Sequence, residues 1–498
     1  MLRPTAEGRV TSPPATGPDL ATPPASAQRA VRNVAIMAAC ELLGKVATLF
    51  FTISAARSLG PAGFGAFSYA LTFGLLLATL PSWGFDNVLL RRGSSRRSDL
   101  APALTNVVVW RTIIAVPVLL IGGAAGALSQ PSGPTRTAVV LVLLASLLDT
   151  YGDAGRAAAQ ALEAGGRTSI ALVAQRIVTA ILGLSVLAAG GHLVGVCAAY
   201  LISSAVGQLL TALAVKRLGV RPSLRSVDRE TLSLLWRQAL VIGVNTLVAM
   251  ALFRVDAVIL HALKGDRAVA EYAVAYRLLE TVLFFNWIIS RAIFPAMAQA
   301  VDNRQLLRLI ERGIHAIGFV FVPYAVLLLV KGRALLDLLF GAQYLATSTV
   351  ILRWLALAPL TFGVTFVVGN ALLARERNRE TLMGSLAGVV VNLGANFALI
   401  PVLSGVGAAI TTTGSYLASG AVMVWYVTRE GGSLRLDRAL LLPVLAALPM
   451  LGVLIVMPGP LVVSAVVAWA AYLTVYLLLV RWRDPEQLAL LTSAMRRS

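Results

Sequence analysis

Charge is what this sequence has least of. Only 13% of its 498 residues are Asp, Glu, Lys or Arg, about half of the roughly 25% usual in a soluble domain. Acidic residues are the scarcer sign, 23 against 42 basic ones. Cysteine occurs twice, as Cys40 and Cys197, both inside apolar runs. Two such residues support neither a metal cluster nor a disulfide framework. His192, His261 and His315 stand apart with no metal-ligand spacing. There is no His-Glu-x-x-His, no glycine-rich loop ending in Gly-Lys-Ser/Thr and no Cys-rich zinc pattern. No loop between apolar runs is long enough to form a soluble domain. These absences argue against a metal, nucleotide or cofactor enzyme, and neither a cofactor nor a metal is expected.

What is present is apolar sequence: 58% of the chain is hydrophobic. Runs of about twenty apolar residues recur from end to end, the length that spans a hydrocarbon core. The reading is an all-α polytopic membrane protein with about fourteen transmembrane helices. The net charge of +19 lies mostly in loop arginines, which points to membrane topology rather than to nucleic acid. Arginines cluster at Arg91, Arg92, Arg96 and Arg97, at Lys216 through Arg229, and at Arg375, Arg377 and Arg379, all on one side of a fourteen-span chain. That bias places both termini in the cytoplasm. Residues 1–30 and 482–498 read as cytoplasmic tails, the first disordered on composition.

A faint repeat divides the chain. Phe64 to Ala70 aligns with Val269 to Ala275, and Gly195 to Ala199 with Gly405 to Ala409. The shared offset predicts two pseudo-symmetric six-helix lobes, 31–217 and 237–430, joined by a cytoplasmic linker at 218–236. Two additional helices follow at 437–481. Parallel repeats of this kind place a substrate site between halves that rock.

Several segments carry a resemblance. Ala56-Arg-Ser-Leu-Gly-Pro-Ala-Gly-Phe-Gly-Ala-Phe-Ser-Tyr-Ala70, Gly84 to Arg91, Arg254-Val-Asp-Ala-Val-Ile-Leu260, Glu271 to Leu278, Leu339 to Tyr344, and Asn392 to Ile410 resemble polysaccharide-biosynthesis flippases. These are O-antigen-type lipid-linked oligosaccharide translocases of the multidrug/oligosaccharidyl-lipid/polysaccharide exporter superfamily. The resemblance implies movement of an undecaprenyl-pyrophosphate-linked oligosaccharide to the outer leaflet of a bacterial plasma membrane, by alternating access. It names lipid-linked oligosaccharide and membrane lipids as partners, with other polysaccharide-assembly proteins as candidates and no nucleic acid. Lipid II flippases and multidrug exporters share the superfamily. A membrane glycosyltransferase or polymerase is the alternative of another class, and it would be expected to carry a substantial outward loop that this chain lacks.

The stretch Val244 to Met297 holds the costliest charges. An ionisable group near a bilayer centre costs about 2.5–3.5 kcal/mol even on the most lenient scale, so it faces a partner or a watery cavity. A polar break from His261 to Glu271 would bring Arg254 and Arg277 to similar depth, roughly 10 Å below the surface. With Lys45, Arg111, Arg176 and Arg291 they form the candidate substrate-binding cations, because fixed guanidinium groups suit a pyrophosphate. Glu41, Asp256 and Glu280 are candidate charge partners, and Arg254 and Arg277 could equally brace helices through them. Asp149 and Asp153 lie one turn apart, as a candidate coupling-ion pair or as a salt bridge with Arg156. Arg111 and Arg176 lie near span ends and could snorkel to headgroups. Asp86 reads as a helix-end cap.

Overall fold

The structure is a computed structural model that describes residues 25–130, 133–429, 431–457 and 459–483. Most of both expected tails lies outside these residues. The described chain is helical with no strand. The first half comprises α1 (Ala25–Ser82), α2 (Phe85–Ser95), α3 (Leu100–Pro117), α4 (Gly123–Leu128), α5 (Gly133–Ala161), α6 (Gly165–Ala188) and α7 (Leu193–Arg217). The second comprises α8 (Arg229–Val282), α9 (Phe284–Ala298), α10 (Asn303–Phe340), α11 (Leu345–Leu355), α12 (Ala358–Ala374), α13 (Asn378–Leu403) and α14 (Gly405–Thr428). Then come α15 (Leu436–Val456) and α16 (Leu461–Arg483).

Among the described residues, eleven segments are long and apolar enough to cross a membrane. The two longest are Ala39–Ser82 with 44 residues and Arg229–Ala298 with 70. Each contains one glycine in left-handed backbone, Gly60 at φ 67° and Gly265 at φ 78°. A residue with a Cβ meets its own carbonyl there, so glycine lets the helix break in a single step. The polar break expected over His261 to Glu271 is therefore confined to Gly265. Helix α14 is absent from the eleven because Thr411, Thr412, Ser415 and Ser419 dilute its apolarity; all four side chains are buried. The count of fourteen crossings is a proposal that reads each broken segment as two and adds α14.

Polar residues set the helix starts. The Asp228 carboxylate accepts from the Thr231 backbone N–H at 2.8 Å ahead of α8, and that bond holds its pKa below the usual carboxylate value. Asp302 does the same for α10 through Gln305 N at 2.6 Å. Both satisfy donors that the first turn cannot satisfy internally.

The packing that positions the rest is between α1 and α8. Their breaks lie side by side, and Gly65 presses against the backbone of Asp266: a Cβ on Gly65 would lie 1.8 Å from the Asp266 carbonyl oxygen. Phe64, Phe67, Leu260, Val269, Phe340 and Tyr344 pack around the crossing as part of the largest apolar cluster. Beyond it, Arg57 donates to the carbonyls of Leu339 at 2.9 Å and Leu338 at 2.5 Å. Tyr344 Oη donates to Ala56 O at 2.7 Å. The far ends of the same helices meet again, where Trp83 stacks on Trp236 with ring centroids 5.4 Å apart.

Gly65→Ala should separate α1 from α8. The obstructing atom is backbone and cannot rotate away, so the cost should reach about 3 kcal/mol, the upper end for overpacking. Thermal unfolding of the purified protein checks this. A variant as stable as wild type would show that the crossing is loose.

Candidate functional site

A cavity of about 390 Å³ lies inside the crossing, between the two arms of α1, the helices α5, α6 and α7, and the two arms of α8. Its wall is mixed. Phe51, Phe64, Phe67 and Phe253 supply apolar surface; Thr48, Thr52, Ser68 and Thr72 add hydroxyls from α1. The charged groups fall into two sets on facing walls.

The α8 wall carries Arg254, Arg277 and Glu280. Arg254 Nη2 lies 2.8 Å from Glu280 Oε1, and Arg277 Nη1 lies 2.9 Å from Glu280 Oε2. One carboxylate thus holds two guanidinium groups, with side chains 28%, 30% and 21% exposed for Arg254, Arg277 and Glu280. The set is net positive by one charge. Arg254 and Arg277 lie on opposite arms at nearly equal distance from Gly265. That distance is roughly 17 Å along each arm at 1.5 Å per residue, deeper than the 10 Å that a wide break implied. Asp256 also lines the cavity and acts electrostatically on Arg254, but it forms no hydrogen bond or ion pair with either arginine. It is 1% exposed and accepts from Ala257 N at 2.7 Å, from Thr412 Oγ1 at 3.1 Å and from Tyr272 Oη. Its expected role as arginine partner is thus reduced to an influence through space: its hydrogen bonds go to the backbone and to hydroxyls of α8 and α14. One residue separates Asp256 from Arg254, so on a helix they point to different sides.

The opposite wall carries Asp149, Asp153, Arg156 and Arg176. Asp149 accepts from Gln175 Nε2 at 2.8 Å and from Tyr200 Oη at 3.5 Å. Asp153 pairs with Arg156 on its own helix. The two aspartates therefore have separate partners rather than each other. Arg176 reaches Glu41 Oε2 at 3.4 Å, over Gly44, where a Cβ would collide with its guanidinium at 2.6 Å. Glu41 also lies 3.9 Å from Lys45.

Three expected cations lie elsewhere. Lys45 is 38% exposed beside the cavity, 5.1 Å over the Phe284 ring, and close enough to act electrostatically on Glu280. Arg291 is exposed on α9 and does not line the cavity. Arg111 neither snorkels nor lines the cavity; it is fully buried and pairs with Asp86 at 2.5 Å. Asp86 accordingly is no cap: the start of α2 has no side-chain capping bond. A helix-end position gives depth but not azimuth, and Arg111 faces α2 instead of the headgroups.

Sequence reasoning missed Gln175, Tyr200, Tyr272 and Thr412, the neutral partners of the buried carboxylates. A usable signal was present in the one-turn spacing of Thr48 with Thr52 and of Ser68 with Thr72. Each pair puts hydroxyls on one face of an otherwise apolar helix.

Glu280→Gln should leave two adjacent guanidinium groups without a counter-charge. Breaking a fully buried pair costs about 3–5 kcal/mol; partial exposure here lowers the expected loss to about 2 kcal/mol. Adding Arg254→Gln restores the original net charge and should recover most of it. Thermal unfolding of single and double variants reads both effects, and a double variant no better than the single excludes this coupling.

Comparison with known proteins adds the following. The family model described as a polysaccharide biosynthesis protein matches residues 30–301, and the one described as lipid II flippase MurJ matches residues 168–481. An uncharacterized membrane protein of Methanocaldococcus jannaschii is 22% identical over 212 residues, 41% of this chain. The match spans only 40% of that relative's length. Among solved structures, a lipid II flippase MurJ in an inward closed conformation superposes with a TM-score of 0.77 at 12% identity, covering 89% of this chain and 98% of that one. An inward-facing multidrug resistance MATE family transporter of the MOP superfamily gives 0.64 at 15% identity, covering 82% and 98%. At these identities the structural likeness is one of fold.

Proposed function

The chain belongs to the polysaccharide biosynthesis protein family, among the membrane flippases and transporters of the multidrug/oligosaccharidyl-lipid/polysaccharide exporter superfamily, and from that premise we propose that it carries an undecaprenyl-pyrophosphate-linked oligosaccharide from the cytoplasmic to the outer leaflet by alternating access. The observation that supports this reading best is the arginine pair on one carboxylate, deep in a cavity between the two halves of the chain. A pyrophosphate crossing hydrocarbon unaided meets a prohibitive solvation cost. Arg254 and Arg277 offset that cost with fixed donors, while the prenyl tail stays in lipid. Glu280 keeps the set from holding its cargo too tightly, because the incoming anion competes with a resident carboxylate. Arg176 on the facing wall gives a second cationic contact. Lys45 lies at the margin and acts through the field around Glu280.

In this reading the chain is an integral membrane protein of a bacterial plasma membrane, with both termini cytoplasmic and two rocking lobes at 31–217 and 237–430. Asp149, hydrogen-bonded but without a cation, is the better coupling candidate of the two aspartates; Asp153 is already paired. No residue is assigned a catalytic role. A lipid II-type cargo is the second reading, favoured by the family-model match over residues 168–481.

Arg277→Ala should abolish translocation without removing the protein from the membrane. A charge-assisted hydrogen bond is worth about 1.5–3 kcal/mol, so the rate should fall at least about tenfold. Arg277→Lys should recover part, since charge survives and the fork does not. Proteoliposomes loaded with labelled lipid-linked oligosaccharide, or with lipid II, measure both the effect and the cargo. A folded Arg277→Ala protein working at the wild-type rate would sink the phosphate-clamp role.

A further inference from the structure

A second concavity, about 480 Å³ in volume, lies where α2 meets the first turns of α8. Arg91, Arg92 and Arg96 reach it from α2 and its C-terminal cap. Asn87 and Gln238 add amides, and Asp99 is the one carboxylate on its wall. The helix explains most of the convergence: Asn87, Arg91 and Ser95 follow one another at one-turn spacing with Arg92 beside them, and Arg96 follows as the extended C-cap.

The pairing state of these arginines sets them apart. Arg111, Arg156, Arg176, Arg254 and Arg277 each have a carboxylate within 4 Å. Arg91, Arg92 and Arg96 make no ion pair among the described residues, although Asp99 is close by. Ser98 Oγ donates to Asp99 at 3.0 Å instead. Three like charges one turn apart or less repel each other, and an anion in the hollow would relieve that repulsion. Counting Asp99, the wall is net positive by two, which matches a doubly charged phosphate. Guanidinium forks and amide N–H groups are the donors such a group takes.

The position narrows the source. Just beyond Gln238 on α8, Leu240, Val241 and Val244 are 44%, 59% and 37% exposed. The hollow therefore opens where α8 passes from polar to lipid-facing surface, the level of a headgroup phosphate. Its wall is also divided between the two halves of the chain. Asn87 and the arginines belong to α2, while Gln238 and Ile242 belong to α8, one turn or so from the Trp83–Trp236 stack.

We propose that this hollow binds a doubly charged phosphate group, carried by a lipid headgroup or free in solution, and that bound phosphate holds the α2–α8 seam closed. A ligand shifts a conformational equilibrium only as far as it binds one state better. Here the closed seam is the state that offers both α2 and α8 donors. The site stands apart from the cargo, because its residues are none of those facing the central cavity.

The test uses full-length, delipidated protein in detergent at constant ionic strength. Thermal unfolding is followed against inorganic phosphate and, separately, against dioctanoyl phosphatidic acid, with chloride as the control salt. A saturable rise in unfolding temperature with either probe is expected. Arg92→Gln/Arg96→Gln should move the half-saturation point up by about tenfold or more, and Arg379→Gln, an exposed arginine of α13, should leave it unchanged. A response to both probes at similar concentration assigns a free phosphate; a response to the lipid alone assigns the headgroup. Should the double variant fail to fold, Arg96→Gln carries the same test with a shift of about threefold. No saturable response beyond chloride, or the same half-saturation point in a folded variant, overturns the site. Since no transport is measured, the result is independent of the flippase assignment.

Discussion

The structure depends on one close approach of backbone to backbone, Gly65 on α1 against the carbonyl of Asp266 on α8. Neither helix could come so near if residue 65 carried a Cβ. Because both helices break close to that point, at Gly60 and Gly265, the crossing joins two hairpins instead of two rods. The arms then diverge on the side away from the breaks, and the space between them is the cavity. The depth of Arg254 and Arg277 follows from the same constraint. Both are counted along an arm from Gly265, so a shift of the break would move them in opposite senses and part Arg254 from Glu280, which lies on the same arm as Arg277.

Electrostatics then decides what such a cavity can do. Desolvating an ion inside a protein costs several kcal/mol even after relaxation, and a partner offsets it only with good geometry. Glu280 meets that demand by giving one oxygen to each arginine at 2.8 and 2.9 Å. A fully neutral pair would have no surplus for an anion. An unopposed arginine pair would be costly when the cavity is empty and slow to release when full. One carboxylate between two guanidinium groups lies between these limits. The bonds that hold the arms together thus also set the residual charge of the cavity wall.

The class of fold was legible because it rests on composition and run length, which any bilayer imposes. The common depth of Arg254 and Arg277 was legible too, since helical rise converts sequence separation into distance. Azimuth was harder. Asp256 is two residues from Arg254, and nothing local says that it would turn to Tyr272 on the other arm of α8 and to Thr412 on α14. Arg111 was misplaced for the same reason: its partner Asp86 lies across a helix–helix contact. The break was drawn too wide because polar residues from His261 to Glu271 look like a loop. They stay helical because their polar groups find partners beside the chain. His261 reaches Asp266 at 3.0 Å, Lys264 donates to Pro401 O at 2.7 Å and Arg267 lies 3.4 Å from Glu271. Only the glycine needs left-handed backbone.

The two seams between the halves of the chain are made by different chemistry. At the Gly65 end the seam is made of hydrogen bonds into carbonyls, from Arg57 to Leu338 and Leu339 and from Tyr344 to Ala56. Such bonds lose their strength within a fraction of an ångström and then need water to replace them. At the far seam Trp83, Trp110 and Trp236 pack face to face or tilted, with centroids 5.0–5.4 Å apart, and an indole bond runs from Trp110 to Leu232 O at 2.9 Å. Aromatic faces can slide while keeping most of their contact, because offset stacking tolerates displacement. The two seams between the halves of the chain thus differ in kind: hydrogen bonds into backbone carbonyls near Gly65, and packed aromatic faces at Trp83, Trp110 and Trp236.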